Sequence, residues 1–570
     1  MAEWPPVLIF LLGAVLIPFV PRSARSSVFV AAPLSALLYI ISLDTGVHAT
    51  MPFLSYELIP FEVTRLSKLF AYVFCTATTL GGIYAFHLKD ASQQSAALVY
   101  SGGAVGVLFS GDLFTLLVFW ELMAVASAWL IWARRSPVSY RAGMRYLNVH
   151  LSGGAVLLAG ILWRLADTGT LVFTAMDASQ TYNWLILCGF ALNTAIPPLH
   201  AWLPDGYPKA TVTGAVFLSA FTTKTAIYTL ARGFAGWEIL VPVGVAMALY
   251  GVVYAVLAND IRGILAYHII SQVGYMVAGV GIGTEMAING AAAHAFTHIL
   301  YKGLLFMGAG AVLQATGKSK LTELGGLTKA LPWTMILYMI GAFSISGFPL
   351  FSGFVSKSVT ISAAGAAGYG WAEMLLHLAS VGTFLHTGLK LPYFTWFGPE
   401  KPHKVGHVPT GMYVAMAIMA ALNIGIGLRP HLLYSILPYP LDYHPYAPAH
   451  VIESAQVLLF TWLGFWVLRG QLGGHPTVAL DTDWFFRKPG RWIEERLVTA
   501  VVGIYDATLA GATRLVHTTV RTFSDPGALL LGADHSGDRE PTASEIPIGP
   551  AVLVVILVIV AVLFGMTLSK

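Results

Sequence analysis

The sequence predicts an all-α, polytopic membrane protein, and three observations carry that prediction. Only 11% of the 570 residues are charged and 56% are hydrophobic, whereas soluble domains carry about 25% charged residues. The mean hydropathy is +0.71. Apolar runs of about 20 residues, the length with which a helix crosses a bilayer, recur from one end of the chain to the other.

The first apolar run, PPVLIFLLGAVLIPFV, has the composition of a secretory signal but the opposite charge polarity. Its N-terminal flank contains Glu3 and no lysine or arginine, whereas Arg22 and Arg25 follow it. A signal peptide carries its positive charge first, so we expect a retained span with the N-terminus outside.

The apolar runs divide into sixteen predicted spans. They lie near residues 5–20, 28–47, 68–87, 95–110, 113–132, 146–165, 184–206, 212–233, 238–258, 261–283, 287–314, 331–364, 372–397, 409–428, 450–468 and 548–568. With the N-terminus outside, the inward connections hold fourteen Lys and Arg residues and the outward connections five. Cytoplasmic loops collect these residues, so the distribution supports this count and a location in the cell (inner or plasma) membrane.

Spans seven and twelve each contain an interruption. Span seven contains NTAIPPLHAWLP (193–204), and span twelve contains SISGFPLFSGFVSK (344–357). The interruptions lie five spans apart, and an odd number of spans reverses membrane orientation, so we expect an inverted five-helix repeat with two broken helices. Simple proline kinks are the alternative, but paired breaks at corresponding positions favour a transport pathway.

The predicted organisation has six parts. They are N-terminal helices (1–94), a first five-helix repeat (95–236), a second, inverted repeat (237–397), C-terminal helices (398–475), an amphipathic helix with a polar loop (476–545) and a last transmembrane helix (546–570). Within the fifth part, residues 490–523 intersperse charges with apolar positions. This pattern favours a lateral helix lying on the membrane; a spanning helix would reverse the final topology.

The ionisable residues inside predicted spans include Glu121, Lys224, Lys302 and Lys357. A charge near the bilayer centre costs on the order of 2.5–3.5 kcal/mol, so each requires a function or a partner. A glutamate opposite a lysine can act as a proton switch. The alternatives are a static ion pair, helix-packing hydrogen bonds or snorkelling, although Lys224 and Lys357 lie too centrally for easy snorkelling.

One stripe of titratable groups lies in HAFTHILYKG (294–303). His294, His298 and Lys302 recur every four residues, so a helix places them within roughly 40° of one another per step and about 6 Å apart along the axis. That spacing suits a proton relay through side-chain motion or one water. Structural hydrogen bonding is one alternative. Metal binding by the two histidines is another, but no third Glu, Asp or Cys ligand accompanies them and Lys302 would repel a cation.

Several further residues have weaker signals. Lys390 lies near a span end, where snorkelling competes with a role in the pathway. His200 follows the adjacent prolines and could cap the broken helix, and Asp112 is expected to cap the helix that carries Glu121. Cys75 and Cys188 lie far apart in apolar spans, and we expect neither a metal site nor a disulfide from them.

Other chemistries have no signature in the sequence. There is no G-x-x-x-x-G-K-[ST] phosphate loop, no paired Cys or His set for haem or iron–sulfur ligation, and no strand followed by G-x-G-x-x-G. No Lys/Arg cluster interleaved with aromatics indicates nucleic-acid binding. We therefore expect no cofactor, and proton movement rather than an enzymatic reaction within this chain.

Six segments together resemble a known family. They are DLFTLLVFWELM, PPLHAWLPDGYPKATVTG, SAFTTKTAIYTLAR, ISQVGYM, HAFTHILYKGLLFMGAGAV and GFPLFSGFVSK. In this order, over roughly residues 65–400, they are similar to the antiporter-type proton-translocating subunits shared by respiratory complex I and the Mrp cation/proton antiporters, with the Mrp D-like branch favoured. The predicted lateral helix with its last span is also similar to the largest antiporter-like subunit of complex I.

The resemblance implies roles for particular residues. Glu121 corresponds to the essential glutamate of the fifth span, Lys224 to the lysine of the eighth, and Lys357 to the ionisable residue of the broken twelfth span. The stripe described above corresponds to the central relay. One position departs from the family, because Asn193 stands where a lysine is usual, seven residues before His200. Either Lys224 becomes the partner of Glu121, which we favour, or the first half-channel works differently or not at all.

Three functions remain open at this stage. The favoured one is a subunit of a multi-subunit Mrp-type antiporter that exchanges H⁺ for Na⁺ or K⁺, with other membrane subunits as partners. The second is a proton-pumping membrane subunit of a complex I-like, redox-driven NADH:quinone or related oxidoreductase. The third is a membrane proton-path partner of a soluble enzyme, for example one that handles inorganic carbon. No cage of carbonyls and carboxylates identifies the counter-ion.

Overall fold

A computed structural model describes residues 4–402, 404–473 and 480–524 and is mostly helical. The chain divides into two compact units, of which the first ends at Thr482 and the second begins at Asp483. The predicted polar loop beyond residue 524 and the last predicted span, 548–568, lie outside the described residues.

The first unit contains the helices of the predicted spans. In chain order, its first half contains α1 (Val7–Leu16), α2 (Arg25–Ser42), α3 (Arg65–Tyr84), α4 (Ala91–Phe109), α5 (Leu113–Trp132), α6 (Pro137–Thr168), α7 (Thr181–Thr194), α8 (Trp202–Gly206), a 3₁₀ turn (Tyr207–Lys209), α9 (Val212–Ala220) and α10 (Thr222–Gly233). Its second half contains α11 (Leu240–Leu257), α12 (Ile261–Ile282), α13 (Glu285–Thr316), α14 (Pro332–Ser346), α15 (Ser352–Ala366), α16 (Gly370–Thr383), two π-helical segments (Phe384–Lys390 and Tyr393–Phe397), α17 (Thr410–Leu428), α18 (His431–Tyr434) and α19 (Pro448–Leu468).

Nine of the described helices are long and apolar enough to cross a membrane. α1 and α14 are shorter apolar helices. Predicted spans seven, eight and twelve are each divided between two helical segments, and span thirteen is divided among three. The membrane-type helical class is confirmed, whereas the count of sixteen spans and the inverted repeat stay predictions.

The second unit, as far as the structure describes it, is helical as well. It consists of α20 (Asp483–Phe485), a π-helical segment (Phe486–Gly490) and the 34-residue α21 (Arg491–Ser524). A helix over residues 490–523 is therefore confirmed. Its position on the membrane stays a prediction.

A β-hairpin corrects the all-α prediction. Strands β1 (Gly46–Phe53) and β2 (Tyr56–Val63) pair antiparallel between α2 and α3. Isolated hairpins are marginal, but this one is tied to the start of α5, because the Ile59 amide donates to the Asp112 carboxylate at 2.8 Å. Asp112 also caps α5, as expected, by accepting from the Thr115 amide at 2.7 Å.

Both predicted interruptions are present. α7 ends before Ala195, whose φ of 62° is left-handed, and α14 ends before Gly347, whose φ is 77°. A third break lies between α9 and α10 at Phe221. The sequence pattern does not predict this break, because there is no proline or glycine at it.

The contact between α11 and α12 is made by backbone rather than by side chains. Four glycines line it: Gly244, Gly251, Gly274 and Gly281. A Cβ added to Gly274 would lie 2.4 Å from the Gly244 carbonyl oxygen and 2.5 Å from the Ala248 amide nitrogen. Such close approach is how helices in lipid gain packing energy without a hydrophobic driving force.

Candidate functional site

The predicted stripe lies on α13 and is completely buried. His294, His298 and Lys302 are each 0% exposed, and the two imidazole centroids are 6.2 Å apart. Among the described residues, neither the Lys302 Nζ nor either ring nitrogen of His298 has a hydrogen-bond partner. Buried polar groups are normally paired, and leaving one unpaired costs about 1–3 kcal/mol. These groups are therefore not held by structural hydrogen bonds.

Polar contacts continue from His294 towards α15. The His294 Nδ1 lies 3.3 Å from the Ser356 hydroxyl, which is 2.6 Å from the Thr297 hydroxyl. The centroids of the Tyr275 and His294 rings are 5.8 Å apart. The Lys357 ammonium lies over the Tyr275 ring, 5.4 Å from its centroid. The structure thus brings Lys357 close to the stripe through Ser356 and Tyr275.

Lys357 and Lys224 are held in the same way, each at a helix break. The Lys357 Nζ donates to the Ile345 carbonyl, in the last turn of α14, at 2.8 Å. The Lys224 Nζ donates to the Ser219 carbonyl, near the end of α9, at 2.7 Å. Carbonyls in a last helical turn lack intrahelical partners and form the negative end of the helix dipole, so both attract a cation.

A small cavity opens beside Lys357. Its volume is about 40 Å³, enough for a few waters. The Ser380 hydroxyl lies on its wall and accepts from the Lys357 Nζ at 3.3 Å. His377 also lines it and lies 3.3 Å from the Glu453 carboxylate of α19. His377 therefore joins α16 to α19 at the edge of this cavity.

A second set of buried groups leads from α12 towards the end of α11. The rings of His268 and His386 are 5.9 Å apart and fully buried, and the nitrogens of His268 have no hydrogen-bond partner within the described ranges. Lys390 is 1% exposed and donates to the Val256 carbonyl and, at 3.2 Å, to the Ala258 carbonyl. Lys390 is therefore held by backbone and does not snorkel to solvent.

The expected ion pair between Glu121 and Lys224 is not formed, although the structure describes both residues. Lys224 is directed to the break in its own span, as above. The Glu121 carboxylate is half-buried, packs against Gly154 of α6, and its buried Oε1 has no partner among the described atoms. The loss of the family's lysine is therefore not compensated by Lys224 through direct contact.

Asn193 has a different partner. Its Oδ1 lies 2.7 Å from the Nδ1 of His150, a buried histidine of α6 whose ring lies between those of Tyr146 and Trp202. The sequence pattern does not reveal this pair, because His150 lies 43 residues away on another helix. One signal in the sequence could have indicated it: asparagine stands at position 193, where the family usually has a lysine, so a neutral partner for this residue could have been expected.

Hydroxyl groups connect the helix of Glu121 to that of Lys224. The Tyr146 hydroxyl donates to Ser127 of α5 at 3.0 Å and lies 3.5 Å from the Thr222 hydroxyl at the start of α10. Thr222 also lies 2.6 Å from the Tyr100 hydroxyl. Thr222 is two residues from Lys224, so hydroxyl groups, and not an ion pair, join the two helices that carry the predicted switch.

His200 does not cap the broken helix with its side chain. It is fully buried, and its Nε2 lies 3.2 Å from the Oδ1 of Asp481. Among the described residues no group of three or more His, Cys, Asp or Glu side chains is arranged to hold a metal ion.

The contact between Glu121 and Gly154 provides a specific test. A Cβ on Gly154 would lie 1.6 Å from the Glu121 Oε1, so Gly154→Ala must displace the carboxylate without removing it. If Glu121 transfers protons, we expect the transport rate of the variant to fall about tenfold. This is less than the rate factor that a general acid–base group usually contributes, because the carboxylate is displaced and not removed. Proton uptake by everted membrane vesicles measures this. Gly425→Ala is the control, because no heavy atom lies within 4 Å of a Cβ added there. Equal transport rates for the two variants would show that Glu121 is not part of the proton pathway.

Comparison with known proteins places this arrangement among relatives. Residues 110–385 match the family described as "NADH:quinone oxidoreductase/Mrp antiporter, TM". The D subunit of the Na(+)/H(+) antiporter of Alkalihalophilus pseudofirmus is 33% identical over 396 residues, which cover 63% of this chain and 80% of the relative. The A subunit of the Na(+)/H(+) antiporter of the same organism is 32% identical over 533 residues, or 81% of this chain, and the match spans 65% of that longer protein.

A solved structure shares the fold. A chain of the membrane-bound sulfane sulfur reductase, an archaeal respiratory membrane complex, superposes with a TM-score of 0.71 at 21% identity. The superposition covers 98% of this chain and 99% of that one.

Proposed function

Because the chain belongs to the NADH:quinone oxidoreductase/Mrp antiporter transmembrane family, we propose that it is the proton-translocating subunit of a multi-subunit Mrp-type Na⁺ (or K⁺)/H⁺ antiporter in the cell membrane. The observation that carries the proposal is the buried line of His298, His294, Ser356 and Lys357. It runs through the core between two helix breaks. In this proposal the N-terminus is outside and the two breaks predicted from sequence belong to an inverted repeat.

Each group has a step in the proposed pathway. Glu121 takes up a proton at its half-buried position, and the hydroxyls of Ser127, Tyr146 and Thr222 couple it to Lys224. His298, His294 and Lys302 relay the proton along α13. Lys357 receives it through Ser356 and releases it into the cavity beside Ser380 and His377. Buried groups without fixed hydrogen bonds suit this task, because a proton that arrives breaks no structural contact.

A redox-driven pump is the second candidate. The observation that favours it is the fold likeness to the sulfane sulfur reductase chain, which extends over 98% of this chain. In that case neighbouring subunits would supply the driving force, and this chain would use the same proton path.

The partners decide between these candidates. The complex should be purified in mild detergent from its native membrane, its subunits identified by mass spectrometry, and Na⁺- and K⁺-dependent proton exchange measured after reconstitution. We expect small membrane subunits and exchange driven by an ion gradient alone. Stoichiometric iron–sulfur or nucleotide-binding subunits, with no gradient-driven exchange, would overturn the antiporter proposal in favour of the redox pump.

A further inference from the structure

A buried carboxylate from the C-terminal part of the first unit reaches the broken helix of span seven. Asp481 is 8% exposed, although its neighbour Leu480 is 73% exposed. The Asp481 carboxylate lies 3.2 and 3.3 Å from the His200 Nε2 and accepts hydrogen bonds from the hydroxyls of Tyr250 and, at 2.6 Å, Tyr267. A carboxylate is expensive to bury, and this one is compensated by three side-chain donors and by the backbone amide of the next residue at 2.6 Å.

The position of these donors places the site near one membrane face. His200 follows the break after α7, Tyr250 lies seven residues before the end of α11, and Tyr267 lies six residues after the start of α12. At 1.5 Å per residue, the last two are about 10 Å from the helix ends that meet at this face. The carboxylate is thus close to the protein surface, whereas His200 is 0% exposed and lies further inside the protein.

The His200 imidazole has one occupied nitrogen and one that faces the protein interior. Its Nε2 contacts Asp481, whereas its buried Nδ1 has no hydrogen-bond partner in the described part of the chain. A carboxylate bound to one imidazole nitrogen orients the ring and leaves the other nitrogen to exchange a proton. The other titratable groups around the carboxylate are Tyr250 and Tyr267, and Tyr254 donates to the Leu480 carbonyl at 3.0 Å.

The surroundings keep the carboxylate ionised at neutral pH. Burial by itself would raise the pKa of Asp481, but the charge and hydrogen bond of His200, with the hydroxyls of Tyr250 and Tyr267, outweigh it and hold the pKa below its usual range. A proton therefore resides on Asp481 only briefly.

We propose that Asp481 and His200 form a proton-transfer dyad that exchanges protons between this membrane face and the broken end of α7. The proposal rests on the proposed function. In one transfer, the Nδ1 of His200 takes a proton from the protein interior while the Nε2–H passes its proton to the Asp481 carboxylate, which releases it to water. One proton enters and one leaves, and rotation of the imidazole restores its first tautomer. Asp481 returns to the carboxylate form.

The structural alternative is that the segment 480–482 only anchors the chain. Its backbone and threonine also contact the protein: Tyr254 donates to the Leu480 carbonyl, and the Thr482 hydroxyl donates to the Pro198 carbonyl at 3.2 Å. Asp481→Asn separates the two functions, because asparagine has the same size and its carbonyl still accepts hydrogen bonds but cannot carry the proton. Thr482→Val is the matched control, since it removes an anchoring hydrogen bond and leaves the dyad intact.

The experiment measures proton transport against pH in vesicles that contain the whole complex. For a transfer group we expect about a hundredfold loss in Asp481→Asn and in His200→Gln, no further loss in the double variant, and near-normal transport in Thr482→Val. Asp481→Asn with the wild-type rate and pH profile would overturn the dyad. If Asp481→Asn does not assemble, His200→Gln decides alone, and a wild-type rate there overturns the dyad.

Failure of the dyad can be distinguished from failure of the proposed function. If Asp481→Asn transports normally while a Lys302 variant does not, only the dyad is wrong. If Lys302 variants also transport normally, the proton path along α13 is wrong.

Discussion

Replacement of Lys302 by alanine or methionine is expected to abolish proton transport while the complex still assembles in normal amount. The Lys302 side chain is 0% exposed, and its Nζ has no hydrogen-bond partner within the described residues. The ammonium therefore contributes no contact to the fold that its removal would break, and losing an uncompensated buried charge does not destabilise the helix bundle. Methionine also retains most of the packing volume.

Transport is measured as acidification of everted vesicles and assembly as the amount of complex recovered in detergent. Lys320→Met is the control, because Lys320 lies in the loop after α13, is 57% exposed and pairs only with nearby Glu323 at 3.5 Å in the described structure. We expect a loss of at least about a hundredfold for Lys302→Met, in line with a proton-transfer group, and none for the control. Unaltered transport by both Lys302 variants would contradict the relay.

Substitution of Gly274 by leucine is expected to prevent assembly of a stable protein. The added side chain would meet backbone atoms of α11, with the Gly244 carbonyl oxygen 2.4 Å from the Cβ. Backbone in the middle of a helix cannot move aside as a flexible side chain can. Overpacking commonly costs about 1–3 kcal/mol, and here the two helices must separate along much of their length, so we expect a larger cost. Because α12 also carries Tyr267 and His268, the site would be lost with the contact.

The stability of Gly274→Leu is measured by recovery of monodisperse protein and by Tm in detergent. Gly425→Leu of α17 is the control, because nothing lies within 4 Å of a Cβ at that position. The close packing of α11 on α12 would be disproved if Gly274→Leu matched the wild type in both measurements.

The breaks in spans seven and twelve, and the stripe on α13, could be predicted because their causes are local. Adjacent prolines and a Gly-Phe-Pro sequence interrupt the helical ladder wherever they stand. Groups four residues apart share one helix face in any tertiary context. The β-hairpin and the break at Phe221 have no such local signal. The hairpin is held by the hydrogen bond between Ile59 and Asp112, which lie 53 residues apart. At the break, the Lys224 side chain donates a hydrogen bond to the Ser219 carbonyl.

The sequence by itself determined that the chain is a bundle of membrane helices, where most of them lie, and which titratable side chains share one face of α13. Only the tertiary structure decided which groups meet: Asn193 with His150, Lys357 with the stripe through Ser356, and His200 with Asp481. The physical reason is range. Apolar periodicity and backbone breaks act within one helix, whereas a buried polar group takes whichever partner the packed helices bring to it, and for His200 that partner lies 281 residues away.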